Sequence, residues 1–143
     1  MTRATFPTPQ DAESAFYEAL ERSDLEAMMD VWAEDEEIIC VHPTGPRLTG
    51  YDQVRESWTQ IFNSRQRLQV RLSNQVYVQG MMLSIHSVLE NILVAGEPKP
   101  RQPMIATNVY LRTATGWRML VHHSSPAPAT GASGAADAPK ILH

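Results

Sequence analysis

The run Gly116-Trp117-Arg118-Met119-Leu120-Val121-His122-His123-Ser124-Ser125-Pro126 decides the fold of this 143-residue chain. Read as a strand, it puts Trp117, Met119, Val121 and His123 on one face and Arg118, Leu120, His122 and Ser124 on the other. The first set is a core face that ends in an imidazole. A titratable ring at the rim of a hydrophobic interior needs a buried partner, water or a ligand. The strand therefore points to an interior with a polar end.

The preceding segments supply its neighbours. Met104 to Arg112 reads as the antiparallel mate, joined through Thr113 to Gly116, and Ala95 to Pro103 is a proline-rich loop. Met81 to Val94 reads as a long strand, apolar on both faces. The turn Gln79-Gly80 leads back to a strand in which Leu68, Val70, Leu72, Val76 and Val78 alternate with polar residues, so one face is buried and one is wet. Arg65, Arg67 and Arg71 fall on the wet side. Strands this long must twist and bend, commonly through bulges.

The first half is helical. Thr8 caps a helix with Pro9 at its first position, and Ala12, Ala15, Phe16, Ala19 and Leu20 form one buried stripe. Ser23 with Glu26 signals a second helix carrying Leu25, Met28, Met29 and Trp32. Thr49 with Asp52 signals a third, burying Tyr51, Val54, Trp58, Ile61 and Phe62. Between them Glu37 to His42 reads as a short strand stopped by Pro43-Thr44-Gly45-Pro46. The expected architecture is α+β: three N-terminal helices packed on a strongly curved antiparallel sheet. Residues 1–9 form an N-terminal arm and 10–126 the domain. Residues 127–143 form a flexible tail of Ala, Pro, Gly and Ser, too apolar-poor to order itself.

Composition excludes several roles. The net charge of −4, without a concentrated basic patch, argues against a nucleic-acid surface. No stretch reaches transmembrane length and no leader is visible, so no membrane partner and a cytoplasmic address are expected. The single cysteine, Cys40, in an apolar run, reads as a buried thiol. There is no His-x-His, no phosphate loop, no nucleophile elbow and no dinucleotide fingerprint, so neither a metal nor a cofactor is expected.

Taken together, Ser23-Asp24-Leu25 with Trp32, Val41-His42-Pro43-Thr44-Gly45 with Gly50, Trp58, Glu90, Thr107-Asn108-Val109-Tyr110, and the closing Gly116-Trp117-Arg118 with His122 to Pro126 resemble the nuclear transport factor 2-like superfamily. The resemblance is to its SnoaL-like, ketosteroid-isomerase-related branch. It covers residues 10–126. It implies a cone-shaped barrel-and-helix fold with an internal, mostly apolar ligand pocket, and a homodimer formed through the sheet. It does not imply one function, because the superfamily includes isomerases, cyclases, dehydratases and binding subunits.

Several residues could carry chemistry. Glu90 is the one carboxylate on the sheet proper, either expelled to solvent or held in the pocket with a raised pKa, as a general base requires. Strict alternation groups it with Ser84, His86, Val88 and Ile92, opposite the more apolar Leu83, Ile85, Leu89 and Leu93. A pocket position then needs a bulge. His123 should reach the cavity, or bond a backbone carbonyl or Asn108, while His122 points to solvent or a dimer interface. His42 ends the short strand near the cavity mouth. Asn108 is an amide among apolar neighbours that can orient a ligand carbonyl, and Tyr110 on the same face can donate to a developing oxyanion. Trp32 and Trp58 serve as core or as walls for a flat apolar ligand. The aspartate base of the resembled isomerases is missing from the sheet.

Three functions follow from this reading. The first is binding of a small apolar or carbonyl-containing molecule. The second is isomerase, cyclase or dehydratase chemistry with a Glu90/His123 acid–base pair. The third is a non-catalytic dimeric assembly module.

Overall fold

Local chemistry starts each helix. Thr8 Oγ accepts from the Asp11 amide at 3.0 Å, Pro9 holds the first helical position, and α1 (Pro9–Arg22) runs until Ser23 turns left-handed. Asp24, one residue past the expected cap, accepts from the Ala27 amide and opens α2 (Leu25–Val31). Gly50 precedes α3 (Tyr51–Asn63), which has no side-chain cap; Thr49 lies in a strand instead. The computed structural model describes residues 3–34 and 37–128, so the expected tail beyond Pro128 lies outside the described residues.

The strands are β1 (Ile39–Val41), β2 (Arg47–Thr49), β3 (Leu68–Gln79), β4 (Leu83–Val94), β5 (Met104–Thr113) and β6 (Gly116–Pro126). They form one curled sheet in the order β2-β1-β6-β5-β4-β3. The fold is the expected α+β cone, with two corrections. The sheet is mixed, because β1 runs parallel to β6 while every other pair is antiparallel, and it is not closed into a barrel. Arg47–Thr49 adds an edge strand that the proline-rich turn before it conceals in the sequence.

Two bulges decide which residues enter the core. Opposite β5, Val121 pairs with Val109 and Met119 with Tyr110, so Leu120 is an extra residue. That extra residue reverses the parity of the strand. Trp117, Met119, His122 and Ser124 are buried, whereas His123 is exposed on the outer face. In β3 the register slips between Ser73 and Val76 around Asn74, whose φ is 49°. Past this point Tyr77 faces inward over His86, and Val76 and Val78 turn outward, each 60% exposed. The expected placement of these valines on the buried face of β3 is thus reversed.

The helices cover the concave side of the sheet. Ala12, Phe16 and Ala19 of α1, Met28 and Met29 of α2, and Val54 and Trp58 of α3 pack on Val88, Ala106, Tyr110 and Met119. Each fully buried side chain of this size contributes about 1.5–3 kcal/mol of transfer free energy. Trp32 ends α2 and bridges to Met119, tying the helical layer to β6. Residues 3–6 are tied down too: Trp117 N–H donates to Phe6 O, and Arg118 donates to the carbonyls of Ala4 and Asp30 across the Phe6 ring. Among the described residues no helix is long and apolar enough to cross a membrane.

Gly116 joins these two systems. It has φ 105°, and a Cβ there would lie 2.8 Å from the Phe6 backbone nitrogen and oxygen. Gly116→Ala is expected to cost about 1–3 kcal/mol in urea unfolding, through strain and displacement of the N-terminal segment. An unchanged midpoint would show that the 3–6 segment contributes nothing to stability.

Candidate functional site

The polar residues of β4 lie on its inner face. Ser84, His86 and Glu90 alternate inward with Val88, while Leu83, Ile85 and Leu93 face out and are 40–44% exposed. The grouping of Glu90 with Ser84 and His86 was legible in the sequence. The direction was not, and no bulge in β4 is needed to bury the carboxylate.

Glu90 is 4% exposed and lies at the end of a directed chain of donors. Tyr17 Oη donates to one carboxylate oxygen at 2.6 Å, and Ser124 Oγ to the other at 3.0 Å. Asn108 Nδ2 donates to Tyr17 Oη at 3.0 Å, and its Oδ1 lies 2.6 Å from His122 Nδ1, so that nitrogen carries the proton. Burial drives the Glu90 pKa up, against the lowering effect of the two hydroxyl donors. Burial, followed by Glu90 itself, raises the Tyr17 phenol well above its ordinary range, so it remains a donor. Burial lowers His122 to about 3, with the neighbouring His123 adding to the effect, and the ring is neutral.

A second cluster adjoins it. Glu13, on the same turn of α1 as Tyr17, has one oxygen 3.0 Å from His86 Nδ1 and accepts from Tyr77 Oη at 2.9 Å with the other. His86 Nε2 lies 3.1 Å from Ser84 Oγ, and Tyr77 stacks on the imidazole at 4.0 Å between centroids. Tyr110 packs against His86, with its hydroxyl fully buried and without a hydrogen-bond partner among the described residues. Burial raises that phenol well above its usual range, and Glu13, Tyr77 and Glu90 add to the rise. Tyr110 thus sits within electrostatic reach of both interior carboxylates.

The expected site residues divide accordingly. Glu90, Asn108 and Tyr110 share the interior. His123 does not: the β6 bulge places it outside, and His122 takes the bond to Asn108. His42 and Trp58 form an adjoining wall, 4.7 Å apart edge to face, with His42 Nε2 3.0 Å from Ser57 Oγ. Burial, then His122, lowers His42 to about 4. Trp32 packs against Phe16 in the core. Cys40 is buried and its thiol is pushed up to about 12, so it is protonated. Sequence reasoning missed Glu13, Tyr17 and Tyr77. The readable signal was Glu13 and Tyr17 at i, i+4 on the flank of the apolar stripe of α1.

Among the described residues, clefts of about 220, 310 and 410 Å³ lie between α1 and the β3–β4 edge, and another of about 400 Å³ lies between the end of α1 and the Phe62–Arg67 segment; Glu21 borders each. The one of about 310 Å³ opens on Glu13, Tyr17 and Tyr77. Among the described residues no group of three or more His, Cys, Asp or Glu is gathered to hold a metal ion.

A SnoaL-like domain model matches residues 10–130. Among solved structures, the chain is similar to a candidate calcium/calmodulin-dependent protein kinase type II association domain from Thiobacillus denitrificans. The identity is 41% and the TM-score 0.79, covering 87% of this chain and 98% of that one. It is also similar to a candidate dehydratase of the nuclear transport factor 2-like family from Streptomyces avermitilis, at 32% identity and TM-score 0.76, covering 85% and 100%. Among curated proteins, F-box protein SKIP8 of Arabidopsis thaliana is 27% identical over 118 residues, 77% of this chain and 46% of SKIP8. The chain therefore spans less than half the length of that relative.

The raised Glu90 pKa carries a stability signature. Its protonated form is favoured in the folded state, so its contribution is fully present below the unfolded value near 4.5 and is lost as pH rises through the folded pKa. The stability of Glu90→Gln relative to wild type should therefore climb as pH rises from about 4.5 upward. Parallel curves in chemical denaturation across that range would mean that Glu90 titrates as it does in the unfolded chain.

Proposed function

This chain belongs to the SnoaL-like domain family of the nuclear transport factor 2-like superfamily, and from its interior we propose that it binds a small, mostly apolar molecule through one carbonyl or hydroxyl group. The observation that carries this is the Tyr110 hydroxyl, a buried donor without an acceptor beside Glu13 and Glu90. Such a group costs about 1–3 kcal/mol if it stays unpaired, and a ligand oxygen would recover that. Phe16, Trp58 and Val88 belong to the same buried apolar cluster as Tyr110. The cleft between α1 and β3 is the approach.

Acid–base turnover is the second reading, favoured by the Glu13–His86 contact and the raised pKa of Glu90. In it the His/Glu pair is His86 with Glu13, and Glu90, its pKa raised by burial, is the base. The dehydratase description of the Streptomyces avermitilis neighbour is consistent with it.

A homodimer through the outer sheet face fits both readings. Val76, Val78, Ile85, Leu93 and Ile105 there are 40–60% exposed, an apolar surface that association would cover. The association-domain description of the Thiobacillus denitrificans neighbour points the same way.

Three experiments test these statements. A panel of small cyclic ketones, enones and alcohols, screened by thermal shift, should contain a stabilising member, worth about 2.7 kcal/mol at a hundredfold excess over Kd. Tyr110→Phe should be as stable as wild type or more so, yet bind that member at least tenfold more weakly. A destabilised Tyr110→Phe with unchanged binding would remove the anchor role. Product formation by the same compounds, followed by NMR and lost in Glu90→Gln, would establish turnover. For the dimer, light scattering of wild type should give twice the chain mass and Ile85→Asp the single mass; a monomeric wild type sinks it.

A further inference from the structure

The outer half of β3 is attached to the body of the protein differently from the inner half. Leu68, Val70 and Leu72 are half-buried, and Glu21 of α1 accepts from the Val70 amide at 2.7 Å. After the bulge at Ser73–Val76, residues 74–79 and the hairpin tip 80–83 are exposed, with Met81 83% exposed and Met82 56%. In this outer half two side chains reach inward: Gln79, whose Oε1 accepts from Ser84 Oγ at 3.4 Å, and Tyr77. Tyr77 stacks on His86 at an interplanar angle of 28° and donates to Glu13. Behind it lie Ser84 and His86, both 0% exposed, and Tyr110 with its unpartnered hydroxyl.

We propose that Tyr77 is the gate of this interior: residues 74–82 swing as a flap on the bulge at 73–76, and release of Tyr77 from Glu13 and His86 uncovers His86, Ser84 and Tyr110. The inference rests on the interior binding site proposed above, but its test does not need the ligand. Three features support it. The ladder to β4 is broken at the bulge and resumes for only four pairs, Val76–Gln79 with Ser84–Ser87, so a bend there has those pairings and the Arg112 N–H to Met82 bond to release. The flap carries little buried apolar surface beyond the Tyr77 ring, the mark of a segment that opens locally. The latch bonds an exposed-side phenol to a carboxylate that also holds His86, so one rotation of β3 breaks both contacts.

His86 reports on the gate through acylation of accessible neutral imidazole by diethyl pyrocarbonate, read by peptide mass spectrometry. In wild type, exposed His123 should react readily and His86 slowly. In Tyr77→Ala the His86 rate should rise at least tenfold while buried His122 stays protected; Tyr77→Phe, which keeps the ring and loses the Glu13 bond, should fall between. An unchanged His86 rate in Tyr77→Ala overturns the gate, as does a parallel rise at His122, which would indicate general loosening. Hydrogen exchange of the unmodified protein provides the independent check. Amides in 74–82 should exchange at least tenfold faster than those in 68–73, and uniform exchange along β3 overturns the proposal. A flap that opens in a protein that binds none of the panel compounds would retain the gate and remove the ligand reading. Ligand binding with a rigid β3 would do the reverse.

Discussion

Keeping a carboxylate out of water is the constraint around which this interior is arranged. An ionised group in an apolar site is costly unless it is neutralised or hydrogen-bonded. Glu90 meets that cost with two hydroxyl donors, Tyr17 and Ser124. Each donor depends on a larger feature. Tyr17 requires α1 to present the flank of its apolar stripe rather than the stripe alone. Ser124 requires the Leu120 bulge, because without the extra residue the parity of β6 would turn it outward. Asn108 then joins Tyr17 to His122, and the neutral imidazole closes the chain on the far side. Helix orientation and strand register both bear on how this one buried carboxyl group is accommodated.

The inner and outer faces of the sheet reverse the usual assignment. Along β4 the polar residues point to the core and several of the apolar ones to the surface. A monomer in water would gain by the opposite arrangement. The concave side has room for polar groups because α1 and β6 supply their partners, and the convex side carries Val76, Val78, Ile85, Leu93 and Ile105 beside a polar row of Ser87, Thr107 and His123. The β3 bulge contributes to both, sending Tyr77 inward and Val76 and Val78 outward.

This reversal explains what the sequence allowed to be read. The helices, the hairpins and the α+β architecture rest on periodicity, capping and turn residues, all local signals, and they stand. Assignments of face depend on parity, and a single unpaired residue inverts every assignment beyond it. That happened at Leu120, exchanging His122 with His123, and at Asn74, exchanging Tyr77 with its valine neighbours. Glu90 posed a different problem. Its alternation partners were identified correctly, but the rule that polar faces point to water has no term for an inner face on which α1 and β6 supply partners to a carboxylate and an imidazole. The parallel β1–β6 pairing could not be read at all, because three residues of strand leave no periodic trace and their partner lies most of the chain away.

That pairing also governs how the fold can be reached. The last strand among the described residues, β6, sits in the interior of the sheet, between β1 and β5. Trp32 and Phe6 likewise wait for Met119 and Gly116. While the chain is being synthesised, the helices, β1 and β2 have no central partner until residue 126 has emerged. Such long-range closure is slow, and it leaves the apolar stripes uncovered in the meantime. Chains interrupted before β6 therefore lack the strand that joins β1 and β2 to the rest of the sheet, and the sheet is completed only once β6 has been made rather than growing from its N-terminus.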